Sequence, residues 1–136
     1  MTIVVIIPIV YNIQHEGGMI TLTDLLAPLT TELRRGTLTL AVLSQLNTPQ
    51  YGYSLVQLLE KSGIMIDQST LYPLLRRLEK QKLVTSIWDT EQSRPRKYYQ
   101  ISNYGIDIYC QLKAEWEKMN EELRALLEGN EQYGSD

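Results

Sequence analysis

The sequence predicts a mainly α chain with a small β-hairpin, a winged helix-turn-helix carrying a long C-terminal dimerisation helix. Three observations carry that expectation. Leu71, Leu74, Leu75 and Leu78 stand at i, i+3, i+4 and i+7, one apolar stripe of a helix. The runs VTSIW and KYYQI, rich in β-branched and aromatic residues, flank the polar stretch Asp89 to Arg96 with its Pro95, and read as two strands with a long tip. Tyr109, Leu112, Trp116, Met119, Leu123 and Leu126 follow one another at intervals of 3, 4, 3, 4 and 3, a heptad seam.

Taken in chain order, the apolar TIVVIIPIVY opens the sequence. It lacks the basic flank and cleavage site of a secretory signal, and is far shorter than the roughly 20 residues a membrane span requires. Two readings stay open for residues 1–29: a flexible or edge-packing arm, or a true start at Met19 with Glu16-Gly17-Gly18 encoded by a purine-rich ribosome-binding sequence. Thr30 or Thr31 is expected to cap a first helix through ELRRGTLTLAVLSQL, in which Leu33, Thr37, Leu40, Ala41 and Ser44 share a face and Gly36 is a weak point. Asn47-Thr48-Pro49 breaks the chain. A second helix runs from about Gly52 to Ser62, with Leu55, Leu58 and Leu59 inward and Gly63 as a left-handed stop.

In the third helix, at 100° per residue, Ser69, Tyr72, Pro73, Arg76 and Lys80 face away from the leucine stripe, with Thr70 and Arg77 on its flank. Proline is tolerated where amides have no partner, in the first turn, which favours Ser69 over Asp67 as the N-cap. An isolated hairpin is marginal in water, so Val84, Trp88, Tyr99 and Ile101 are expected to pack on the helices, with Arg94, Arg96 and Lys97 near the tip. Alternation puts Arg96 and Tyr98 on one face and Lys97 and Tyr99 on the other. Arg96 and Tyr98 are then the favoured wing contacts, with Lys97 reaching around the edge. Ser102 or Asn103 opens the last helix, 102–128, and residues 129–136 read as a disordered tail.

With 136 residues, 43% of them apolar and 21% charged, the chain suffices for one core with an appendage. The net charge of −3 conceals a polarised distribution. Between Arg76 and Lys97 seven basic residues meet three acidic ones, while from Asp107 onward eight acidic residues meet three basic ones. One basic face on an acidic protein suits double-stranded DNA. A single Cys110 and a single His15 leave no metal site, no disulfide framework and no nucleophilic pair, so neither a cofactor nor a catalytic residue is expected, and the compartment is expected to be the reducing cytoplasm.

Four segments, YGYSLVQLL, STLYPLLRRLEKQKLV, RPRKYYQIS and the following NYG, resemble the PadR family of bacterial transcriptional regulators over roughly residues 33–119. The family shows a Gly-Tyr opening to helix two, a Thr-Leu-Tyr-Pro recognition helix and an Arg-Lys-Tyr-Tyr return strand. The resemblance implies a homodimeric repressor of an inverted-repeat operator, with the third helix in the major groove, the wing over the neighbouring backbone and the last helix joining two copies. It also implies the smaller branch of the family, parts of which bind planar aromatic compounds between the dimerisation helices near a tryptophan. Trp116 stands at such a place, with Met119 and Tyr109 beside it; the residues alone suit interface filling equally well. The wing tip departs from the family pattern, with Ser93-Arg94 where glycine often precedes the proline.

The expected DNA contacts are thus Ser69, Thr70, Tyr72, Arg76, Arg77 and Lys80 on the helix, and Arg94, Arg96, Lys97 and Tyr98 on the wing. Arg77 is the member expected to turn toward an acidic partner. A competing reading is a winged-helix adaptor whose basic face binds an acidic protein.

Overall fold

The computed structural model describes residues 21–129, together with the backbone pairing of Gln14–His15 (β1) with Gly18–Met19 (β2). The readings for residues 1–13 and for the tail 130–136 fall outside the described residues. The chain divides into two compact units, residues 1–38 and 39–136.

In the first unit a helix α1 runs from Leu22 to Arg35. The sequence assigns residues 22–29 to an arm and the cap to Thr30 or Thr31, so this is a correction. Thr21 is the cap: its Oγ1 accepts from the Asp24 amide at 3.2 Å, and the Asp24 carboxylate accepts from the Thr21 amide at 3.2 Å. Thr31 is internal and donates its hydroxyl back to the Ala27 carbonyl at 3.0 Å, a bond that makes an interior threonine look like a cap in sequence. The single helix expected through Gly36 is also interrupted there. Leu33, expected to share a helix face with Leu40 and Ala41, is 74% exposed.

The second unit holds α2 (Leu38–Ser44) from its second residue on, α3 (Gly52–Lys61), α4 (Gln68–Lys80), an antiparallel hairpin β3 (Val84–Asp89) and β4 (Arg96–Ile101), and α5 (Asn103–Glu128). Its core is apolar: Val42, Leu43 and Leu46, then Leu55, Val56 and Leu59, then the predicted stripe Leu71, Leu74, Leu75 and Leu78, closed by Leu83, Val84 and Tyr99. Burying such side chains contributes about 2 kcal/mol each, and four leucines on one face of α4 are what fix its rotation about its own axis.

The hairpin register pairs Val84 with Ile101, Ser86 with Tyr99, Trp88 with Lys97 and Asp89 with Arg96. Gln50 extends the sheet on the far edge of β4, exchanging two backbone bonds with Tyr99 at 2.9 and 2.8 Å. This stitches the α2–α3 connection to the wing. Val84 and Tyr99 are buried and Ile101 half-buried, as expected, but Trp88 is 60% exposed. It shares their face of the sheet, yet it sits near the tip of the hairpin.

α5 is anchored at its first turn. Ser102 caps it, accepting from the Gly105 amide at 2.9 Å while donating its own hydroxyl to the Lys82 carbonyl at 2.7 Å. A Cβ on the buried Gly105 would overlap the Leu83 carbonyl oxygen, so only glycine lets the helix approach this closely. Beyond that turn the seam lies open: Trp116 is 41% and Met119 62% exposed, and Leu112, Leu123 and Leu126 are exposed as well.

Candidate nucleic-acid interface

The exposed side of α4 begins at Asp67, not Ser69. The Asp67 carboxylate accepts from the Thr70 amide at 2.8 Å and from the Ser69 hydroxyl at 2.6 Å. The two bonds, Ser69 first and Thr70 second, hold the Asp67 pKa below its ordinary value of 3.8. Pro73 therefore lies in the second turn rather than the first. Having no amide hydrogen, it leaves the Ser69 carbonyl without its i+4 donor, on the exposed side of the helix. The Ser69 hydroxyl is engaged by Asp67 in the unbound protein, whereas Thr70 is exposed.

Tyr72 is half-buried, not fully outward. Its ring packs on Gly52 at the start of α3, where an added Cβ would come within 2.5 Å of a ring carbon. The glycine that opens α3 is there so that a tyrosine of α4 can wedge against its backbone. Arg76, Arg77 and Lys80 are exposed, one to two turns further on. Arg77 finds no acidic partner among the described residues; its guanidinium donates to the Thr39 hydroxyl at 3.3 Å.

On the wing the predicted alternation holds, but Lys97 points inward. Its ammonium lies 3.1 Å from Glu79 Oε2 of α4 and 5.2 Å from the centre of the Tyr99 ring. Burial alone would push the Lys97 pKa down; the hydrogen bond and charge of Glu79, with a contribution from Tyr99, outweigh it and raise the pKa above 10.5. Glu79 Oε1 accepts from the Ser86 hydroxyl at 2.9 Å, so this one carboxylate ties α4 to both strands. Oε2 is shielded from water, and the Lys97 ammonium is the partner that balances it. The reason is the face: Lys97 shares it with Tyr99, which is core.

Arg96 and Tyr98 occupy the opposite face and meet a residue the sequence reasoning missed. The Arg96 guanidinium lies 4.6 Å above the Tyr51 ring, Tyr98 meets the same ring edge-on at 5.5 Å, and Tyr53 stacks on it at 6.5 Å. The aromatic repeat in Tyr51-Gly52-Tyr53, immediately before a helix, was the available signal. Arg94, at the tip, is exposed.

Two hollows result. One, about 410 Å³, lies between the start of α3, α4 and the wing, bordered by Tyr51, Tyr72, Arg76, Trp88 and Arg96. The other, about 820 Å³, runs along α4 and is lined by Arg76, Arg77, Lys80, Lys82 and Lys97 with Glu79 as its one carboxylate. Five cations around a carboxylate that is already paired give a surface suited to a polyanion. Trp116, Met119 and Tyr109 are elsewhere, on the seam of α5. Among the described residues no cluster of three or more His, Cys, Asp or Glu could hold a metal ion, and no helix is long and apolar enough to cross a membrane.

Several known proteins of similar sequence and fold are transcriptional regulators. Residues 39–111 match the model of the PadR-like family of transcriptional regulators. Among solved structures, the chain is similar to a PadR family transcriptional regulator from Eggerthella lenta, at 46% identity and a TM-score of 0.77, covering 79% of this chain and 96% of that one. It is also similar to a transcriptional regulator from Clostridium thermocellum, at 31% identity and a TM-score of 0.64, over 69% of this chain and 96% of that one. An uncharacterised protein of Lysinibacillus sphaericus is 30% identical over 90 residues, 63% of this chain and 83% of its own length. The chain belongs to the PadR-like family of transcriptional regulators. The winged helix-turn-helix is the fold of that class.

Proposed function

We propose that the protein is a homodimeric repressor that binds an inverted-repeat operator, with α4 in the major groove and the β3–β4 wing on the adjacent backbone. The observation that carries this is the cation-lined groove along α4, whose only carboxylate is neutralised by Lys97. Arg76, Arg77 and Lys80 face the phosphates and base edges. Thr70 and the rotatable Ser69 hydroxyl lie at the tip of the helix, beside an Asp67 carboxylate that repels phosphate and so favours base amino groups there. Tyr72 supports α4 from behind through Gly52, and Arg96 with Tyr98, braced on Tyr51, presents the wing. Lys97 takes part through its clamp on Glu79 and its place on the groove wall.

One such unit reads one half-site. The exposed seam of α5, Leu112, Trp116, Met119, Leu123 and Leu126 with the half-buried Tyr109, supports pairing with a second copy, which would hold two α4 helices about 34 to 36 Å apart on successive turns of the duplex. A planar aromatic compound lodged at Trp116, Met119 and Tyr109 between two such helices would favour a different spacing and relieve repression.

The test is fluorescence polarisation with duplexes that carry or lack an inverted repeat, recovered from a randomised pool. Preference for the repeat, weakening steeply with salt, supports the proposal. Equal, salt-insensitive binding to both would favour an adaptor for an acidic protein.

A further inference from the structure

The second unit makes the same helix-ending turn twice and fills it differently. At the end of α3 the Gly63 amide bonds the Glu60 carbonyl at 2.9 Å and the Ile64 amide bonds the Leu59 carbonyl at 2.9 Å. At the end of α4 the Lys82 amide bonds the Glu79 carbonyl at 3.0 Å and the Leu83 amide bonds the Leu78 carbonyl at 3.0 Å. Both are Schellman endings, which place one residue in the left-handed region. For α3 that residue is Gly63, at φ +84°; for α4 it is Lys82, at φ +65°.

A residue with a Cβ is disfavoured in this conformation, and Lys82 is the one non-glycine residue with positive φ among the described residues. Its neighbours hold it there: Ser102 donates to its carbonyl at 2.7 Å, and the close approach of Gly105 clamps the next residue, Leu83. The lysine side chain does nothing for this turn that glycine would not do better, and it is exposed. What distinguishes the two turns is location. Lys82 lines the groove that Arg76, Arg77, Lys80 and Lys97 share, and strained residues gather where function needs them.

We propose that Lys82 is a phosphate-binding residue, extending the DNA contact past the C-terminal end of α4. This rests on the reading of the groove as a DNA surface. The electrostatic contribution is independent of sequence, so a labelled mixed-sequence duplex is a sufficient probe.

The full-length chain is compared with K82G, K82N and K82R, by thermal denaturation and by fluorescence polarisation across a range of salt. K82G should melt a few degrees higher, because it relieves the left-handed strain, and yet bind the duplex several-fold more weakly. Its log-log salt slope should be shallower by about 0.9 for each phosphate that is no longer neutralised. K82N, whose short side chain tolerates this conformation, should show the same loss of affinity, and K82R should bind as the wild type does. A K82G protein that binds with unchanged affinity and slope, while the wild type binds in a salt-dependent manner, overturns the role of Lys82 alone. A wild type whose binding does not respond to salt removes the DNA reading and Lys82 with it.

Discussion

Glu79 is a carboxylate in the middle of a surface otherwise built from cations, and its partners explain its presence. By taking Lys97 and the Ser86 hydroxyl it removes its own charge from the groove and fastens the wing to α4. Glu79→Gln should therefore destabilise the fold by roughly 1 kcal/mol, read from the urea midpoint, since half-exposed ion pairs contribute no more than about that. It should also loosen the wing, seen as faster amide exchange in β4. The raised pKa of Lys97 contributes stability that is complete below 10.5 and is lost as pH climbs through the higher folded value. Alkaline unfolding of the wild type should accordingly begin earlier relative to neutral stability than in Lys97→Met. Asp67 works in the opposite direction: its depressed pKa contributes stability above the ordinary carboxylate range that is lost in acid. Asp67→Ala should flatten the acid limb of the stability profile. Gly52→Ala forces a methyl into the Tyr72 ring and should cost about 2 kcal/mol, measured by thermal denaturation. Gly52 was legible as a helix start, but its reason, a tyrosine on the following helix, is a tertiary contact that no local pattern contains.

At the scale of elements, what the sequence showed best was what periodicity controls. The leucine stripe of α4, the two strands and the helix opened by Ser102 all lie where their patterns put them. Caps and faces were harder. Ser69 and Asp67 stand two residues apart with equal capping chemistry, and the choice fell to Asp67 because its carboxylate takes both the Thr70 amide and the Ser69 hydroxyl. Thr31 imitates a cap while bonding back into its own helix. Trp88 carries the alternation of a core residue, but near the hairpin tip it borders an open hollow and stays 60% exposed. The basic face of α4 was legible as a group: Arg76, Arg77 and Lys80 are exposed together, whereas the inward turn of Lys97 depended on its sharing a face with Tyr99. The tightest element contact is Gly105 on the Leu83 carbonyl. Gly105→Ala should push the first turn of α5 off the wing and cost about 3 kcal/mol, with the loss visible in the near-ultraviolet signal as well as the melting temperature.

For the whole molecule, an overall charge of −3 coexists with a groove of five cations, so the acidic bulk discourages nonspecific adhesion while the groove attracts a polyanion. The proposed pairing of α5 with a second copy would cover its exposed apolar seam, as the core covers the leucines of α4. Trp116→Glu should convert a dimer to monomers in sedimentation velocity without lowering the stability of the winged unit, and operator affinity should fall because two half-sites are no longer read together. The central claim is that the α4 groove meets DNA. It is tested most directly by comparing wild type with Arg76→Ala on an inverted-repeat duplex across a salt series. The account predicts that the wild type binds with a slope of about −0.9 per phosphate neutralised, and that Arg76→Ala binds more weakly with a shallower slope while remaining dimeric. Unchanged affinity and slope in Arg76→Ala would contradict it.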